Sequence, residues 1–177
     1  MLNRSSRPCV MKSAGDHRMD AIRVVIGIVV LLTGTLVYIV DRPADQTYFV
    51  STGGSDISLH GSLPVLFGKL GGILPAFSHV FAFILITGGV LSCKKKGCLL
   101  VAAFWFIVDC AFEIGQHFNT SAAKLVPEWF NHLPFLESTG NYFKKGVFDW
   151  ADLAAIFTGT LLAYWVLVKT ERKGGEQ

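Results

Sequence analysis

A chain of 177 residues with 51% hydrophobic and only 16% charged residues, and a mean hydropathy of +0.47, falls well short of the roughly 25% charge of an ordinary soluble domain. That balance disfavours a soluble bundle and fits a small set of membrane helices joined by modest loops. The net charge of +3 is small and divided among short groups beside apolar runs, so there is no basic face for nucleic acid.

The chain opens on a tail, residues 1–21, with no helical or strand periodicity, expected to be disordered. Four apolar runs follow, and each approaches the length of about 20 residues that crosses a hydrocarbon core. In lipid every backbone N–H and C=O must be paired within its own segment, which forces such runs into helices. Span one is Ile22 to Val40, closed by Asp41-Arg42-Pro43. Span two is Ile73 to Ser92 and carries His79. Span three is Cys98 to about His117, with Asp109 and Glu113. Span four is Trp150 to Val168, with Asp152. Span one is too long for a signal peptide's apolar core and no small-residue cleavage site follows it, so it is expected to remain uncleaved. The fold class is therefore an all-α, four-transmembrane-helix bundle over residues 22–168, followed by a second tail, 169–177.

Lys and Arg in the flanks set the direction. Arg4, Arg7, Lys12, Arg18 and Arg23 precede or open span one. Lys94, Lys95 and Lys96 lie between spans two and three, and Lys169, Arg172 and Lys173 follow span four. These are eleven of the sixteen basic residues. The excess places both ends in the cytoplasm and the two long loops outside, each of about 30 residues by the span limits. The CKKKGC turn reads as an anchor to anionic headgroups. Its Cys93 and Cys98 would then face a reducing compartment as free thiols. With Cys9 and Cys110, the chain's cysteines lack zinc-site spacing.

The first outer loop, Asp41 to Gly72, contains TGGSD and HGS turns. It ends on LPVLFGKLGGIL, which fits a short interfacial or re-entrant piece. The second loop, Phe118 to Phe148, holds Trp129, Phe130, Phe135, Tyr142 and Phe143. Such aromatics suit a cap on the membrane surface or a lid over a ligand site. Pro75 is expected in the first turn of span two, where its missing N–H costs little. Gly88, Gly89 and Gly159 are expected at close helix contacts.

Ionisable groups within a span cost about 2.5–3.5 kcal/mol each on insertion scales. This chain retains several. Asp109, Glu113, Gln116 and His117 follow i, i+4, i+7 and i+8, one helical face. Asp149 and Asp152 open span four, and His79 lies on span two. In the four-span topology these residues all fall in the outer half of the bundle. Three readings fit them: interhelical hydrogen bonding, an outward-facing binding or catalytic pocket with Glu113 and Asp152 as acid and base, or a metal site built on Glu113 and His117. No cofactor is called for.

Three pieces of the second half resemble the VanZ-like family of small bacterial membrane proteins. FSHVFAFILI resembles the family's His-led helix through His79. FEIGQHF resembles its E-x-x-Q pattern through Glu113 and Gln116. FDWADLAAIFTG resembles its D-x-x-x-N-x-x-G pattern through Asp152 and Gly159, with Ile156 where the family has Asn. The family's Arg between the Gln and the Asp is also missing, and the loop offers Lys144 and Lys145 instead. The resemblance implies a multi-pass protein of a bacterial inner or plasma membrane, linked to teicoplanin resistance and the cell envelope. The expected function is recognition of a lipid-linked or cell-wall component, with membrane lipids as surroundings. The alternatives are an intramembrane hydrolase or transferase acting on a lipid headgroup, and a proton-coupled transporter. Transport would require a homo-oligomer, because four helices rarely enclose a path alone.

Overall fold

A computed structural model describes residues 20–43, 58–133 and 136–171. The predicted disordered tail before Asp20, the TGGSD turn, Phe135, Arg172 and Lys173 lie outside the described residues.

Four long helices match the four predicted spans within about three residues at each end. They are α1 (Ala21–Asp41), α2 (Leu70–Val90), α3 (Lys95–His117) and α6 (Trp150–Lys169). All four are long and apolar enough to cross a membrane. A helix of about 21 residues spans about 31 Å at 1.5 Å per residue, the thickness of a hydrocarbon core. Between α3 and α6 lie two short helices, α4 (Asn119–Leu125) and α5 (Thr139–Lys145), and a 3-10 turn at Glu128–His132. No strand occurs among the described residues. Apolar side chains stay exposed around the bundle, including Ile22, Val25 and Val29 on α1, Leu100 and Ile107 on α3, and Phe157 and Trp165 on α6. An apolar exterior of this kind has hydrocarbon as its solvent, and the chain is a multi-pass membrane protein.

α2 is the central helix, packed chiefly against α1 and α6 and less closely against α3. Small residues permit this. A Cβ at Gly27 would lie 2.7 Å from Ile86 Cγ1 and 2.9 Å from the Ala82 carbonyl oxygen, and one at Gly34 would collide with Ser78 Oγ. Gly27 and Gly34 are seven residues apart, two turns along one face of α1. On the opposite side, a Cβ at Gly159 would meet Val80 Cγ1 at 2.7 Å, and one at Gly88 would meet Leu167 Cδ2 at 2.8 Å. Val80, Ile84, Leu85, Ala163 and Leu167 fill the core between α2 and α6. Without a hydrophobic drive between helices in lipid, such close approach supplies the dispersion contact that holds a bundle together.

Pro75 is the sixth residue of α2, inside its second turn rather than its first, because the helix starts at Leu70. Proline has no N–H and crowds the carbonyl four residues back, here that of Gly71. Arg42 covers the gap: its Nη2 donates to the carbonyl oxygens of Gly72, at 3.2 Å, and Gly71, at 3.5 Å. Beside it, the Asp41 carboxylate accepts the backbone N–H groups of Leu66 and Phe67 at 2.9 and 2.8 Å. The segment leading into α2 is thus a turn fastened to the end of α1.

At the other end of the bundle Arg23 is 2% exposed. Its guanidinium pairs with Asp20 at 3.2 Å. It also donates to the Leu167 carbonyl oxygen and Thr170 Oγ1, each at 2.9 Å, and to the Cys93 carbonyl oxygen at 3.3 Å. One side chain therefore joins the start of α1, the α2–α3 turn and the end of α6. Sequence reading took Arg23 as a flanking charge only.

Candidate functional site

The polar face of α3 enters the bundle as its spacing requires. Asp109 is 8% exposed, Glu113 5% and Gln116 9%. His117 leaves this group. It lies about 80° round the helix from Asp109, is exposed, and packs its ring against Phe118 and Phe148, both at 5.2 Å between centroids. The predicted i+8 member thus falls on the rim.

Asp109 pairs with α2. Its Oδ1 and Oδ2 lie 3.1 and 3.3 Å from His79 Nδ1. A carboxylate only accepts, so the imidazole carries its proton on Nδ1 and turns Nε2 away from the acid. The His79 side chain is 49% exposed while that of Asp109 is 9% exposed. The ring sits in an aromatic seam, 4.4 Å from Phe83 and 6.5 Å from Trp105, with Phe83 and Trp105 stacked at 4.7 Å. Trp105 Nε1 is satisfied by Thr87 Oγ1 at 3.0 Å, so the seam below His79 is apolar.

Glu113 forms a separate network one turn further along α3. Its Oε1 accepts the backbone N–H of Asp149 at 2.8 Å. Its Oε2 accepts from Gln116 Nε2 at 3.1 Å, and the same amide donates to the Tyr142 hydroxyl at 2.6 Å. Around it, α5 lies across the end of α3. The Phe143 ring covers Gly115 and stacks on Phe112 at 5.5 Å, and Gly146 abuts the Gln116 side chain, leaving no room for a Cβ at either glycine. The polar groups lie at two levels. His79 and Asp109 meet about 12–14 Å from the neighbouring helix ends, and Glu113 lies about 6 Å from its own.

Asp149 is exposed, and its carboxylate caps α6 by accepting the Ala151 N–H at 2.8 Å. Such an N-cap satisfies an otherwise unpaired donor of the first turn. Asp149 thus contributes its backbone to the network and its side chain to the helix. Asp152, half-buried, lies within electrostatic reach of Glu113, Asp149 and Arg42. Its carboxylate has no hydrogen-bond partner among the described residues. The cation beside it is Arg42 at the end of α1, not Lys144 or Lys145, which are exposed. The Arg42 guanidinium also stands 4.9 Å over the Tyr38 ring.

Tyr142, half-buried on α5, marks the middle of the cluster. Burial pushes its phenol above the ordinary tyrosine range, and Tyr38, Glu113, Asp152 and Asp109 add to the rise. The hydroxyl stays protonated at neutral pH. Tyr38, Arg42 and Tyr142 are the members that sequence reading did not single out. Their signal was slight: a Tyr and an Arg four apart at the end of span one, and one Tyr among many loop aromatics.

The loop between α3 and α6 forms an open cavity of about 250 Å³ lined by residues including Val126, Glu128, Asn131, Glu137, Asn141 and Lys144. None of the predicted site residues lines it. Glu113 and His117 part company, one buried and one on the rim. Among the described residues no three His, Cys, Asp or Glu side chains converge as a metal site would need. The arrangement holds two chemical units: a His–Asp pair with one imidazole edge open sideways, and a buried Glu–Gln–Tyr network beside Asp152 and Arg42. No protein-family model, curated protein or solved structure matches the chain.

Proposed function

We propose that this chain is a VanZ-like protein of the bacterial plasma membrane, with both ends cytoplasmic, that recognises a lipid-linked or cell-wall component through its outer polar cluster without turning it over. One observation carries the reading. Polar side chains from α1, α2, α3, α5 and α6 gather in one half of the bundle, opposite the lysine-bearing α2–α3 turn. Ionisable groups held in a span at about 2.5–3.5 kcal/mol each are retained for pairing or for function. Here the pairing is incomplete among the described residues: His79 keeps an exposed edge, and Asp152 has a carboxylate with no hydrogen-bond partner there, beside Arg42.

Recognition is favoured over catalysis because both Glu113 oxygens are already engaged by protein donors. A general acid or base needs a side chain within reach of substrate. The resemblance through His79, Glu113, Gln116, Asp152 and Gly159 supports the proposed family, and the basic residues on the flanks support the proposed orientation.

The test is complementation of a deletion strain with Glu113→Gln and Asp152→Asn, read as teicoplanin susceptibility, with membrane insertion and thermal stability measured in parallel. Both variants should insert normally and fail to restore the parental susceptibility. Restoration by both variants would defeat the reading, as would loss of activity only through instability. Turnover of a phospholipid or lipid pyrophosphate by purified protein would replace recognition with catalysis.

A further inference from the structure

The α2–α3 turn brings Cys93 Sγ to 3.4 Å from Cys98 Sγ. Both thiols are free. Cys98 is fully buried at the start of α3, and Cys93 is half-buried in the turn. The Cys98 thiol donates to the Cys93 carbonyl oxygen at 3.1 Å, the same oxygen that receives Arg23 Nη1. Between the two cysteines stand Lys94, Lys95 and Lys96, all exposed, and then Gly97.

We propose that Cys93 and Cys98 form a redox-active dithiol, oxidised by thiol–disulfide exchange with a soluble disulfide of anionic character, of which oxidised glutathione is the chemical type. The inference does not depend on the function proposed above. A disulfide needs the sulfurs at about 2.05 Å, so closure asks for a movement of roughly 1.4 Å. That is within reach of side-chain rotation in a turn. Cys93 is the accessible partner. Its thiolate attacks one sulfur of the incoming disulfide, forming a mixed disulfide and releasing one thiol. Cys98, already in contact, then attacks Cys93 Sγ as its thiolate and releases the second thiol. The sum is two protein thiols and one disulfide giving one protein disulfide and two small thiols, with both protons leaving on the released thiols.

The surroundings suit the step. Three lysines present a local positive field to an anionic oxidant. Oxidation removes the Cys98 S–H donor, but the Cys93 carbonyl keeps its bond from Arg23. The closed turn therefore stays attached to α1 and α6. No other cysteine lies in the α2–α3 turn, and Cys110 sits three turns further along α3.

The experiment uses the full chain, purified in detergent micelles under reducing conditions and then exposed to oxidised glutathione. Aliquots are quenched with an alkylating agent and mapped by peptide mass spectrometry. The wild-type chain should lose two hydrogens as an internal Cys93–Cys98 disulfide with no glutathione retained on either of these two cysteines. Cys98→Ser should instead accumulate a glutathione adduct on Cys93. Lys94→Ala, Lys95→Ala and Lys96→Ala together should give the same disulfide several-fold more slowly. A wild-type chain in which Cys93 and Cys98 stay reduced, either keeps a glutathione adduct, or either pairs with Cys9 or Cys110 overturns the proposal. An unchanged rate in the triple variant overturns the role given to the lysines.

Discussion

Glu113 on α3 receives the backbone N–H of Asp149 at 2.8 Å, so a buried acid fixes the residue that caps α6. The carboxylate orders the corner between the loop layer and the last helix. Truncation to Ala removes two acceptors at once, leaving the Asp149 N–H without this partner and the Gln116 amide with Tyr142 alone. Glu113→Ala is expected to cost about 1–3 kcal/mol. Glu113→Gln, which keeps an acceptor for Asp149, should cost less than half of that. Titration from mild detergent into a denaturing one, followed by circular dichroism, measures both.

Arg23 should be the most sensitive basic residue in the chain. Its guanidinium joins Asp20, Cys93, Leu167 and Thr170 from a buried position. Removing one partner of a buried ion pair leaves the other charge uncompensated and costs about 3–5 kcal/mol. Arg23→Ala should approach that range. Arg23→Lys should remain well below wild type, since an ammonium lacks the planar fork that reaches several carbonyls at once. By contrast Lys95→Ala, on the exposed turn, should leave the unfolding midpoint within the error of the same titration.

Arg42 and Pro75 are expected to be coupled. Arg42 donates to the Gly71 carbonyl, which Pro75 leaves without its helical donor, and to the neighbouring Gly72 carbonyl. Arg42→Gln should lower stability by about 1 kcal/mol. In a Pro75→Ala background the helix regains its own N–H, and the same change should cost clearly less. A double-mutant cycle reads the difference directly. Strict additivity would show that Arg42 serves something other than those carbonyls.

Gly34 and Ser78 offer a packing test of the α1–α2 contact, since a Cβ at Gly34 collides with Ser78 Oγ. Gly34→Ala should destabilise by about 1–3 kcal/mol through overpacking. Combining it with Ser78→Gly should cost at least about 1 kcal/mol less than the two separate losses together. The same detergent titration checks this, with Gly72→Ala as a control, because nothing lies within 4 Å of a Cβ at that glycine.

Four helices were legible in the sequence because lipid leaves a long apolar run no other conformation, and their limits needed only small shifts. The inward face of Asp109, Glu113 and Gln116 was legible for a similar reason: 3.6 residues per turn fixes which side chains share a face. That periodicity does not say how wide the buried face is, so His117, one residue beyond Gln116, was placed inside and lies on the rim. Nor does it say which helix stands opposite. Only the packing of α2 against α1, α3 and α6 could pair His79 with Asp109, separate that pair from the Glu113 network, and reduce the Asp149 side chain to a cap. Residues distant along the chain were the least legible. Arg23 and Arg42 read as membrane flanks, because flanking charge is a local property. Their partners at Leu167, Thr170, Gly71 and Gly72 are set by where other helices end. Sequence determined the spans and the polar stripe through local periodicity. Tertiary structure alone decided which polar groups meet, because that depends on how closely helices approach, and the approach is set by glycines facing other chain segments.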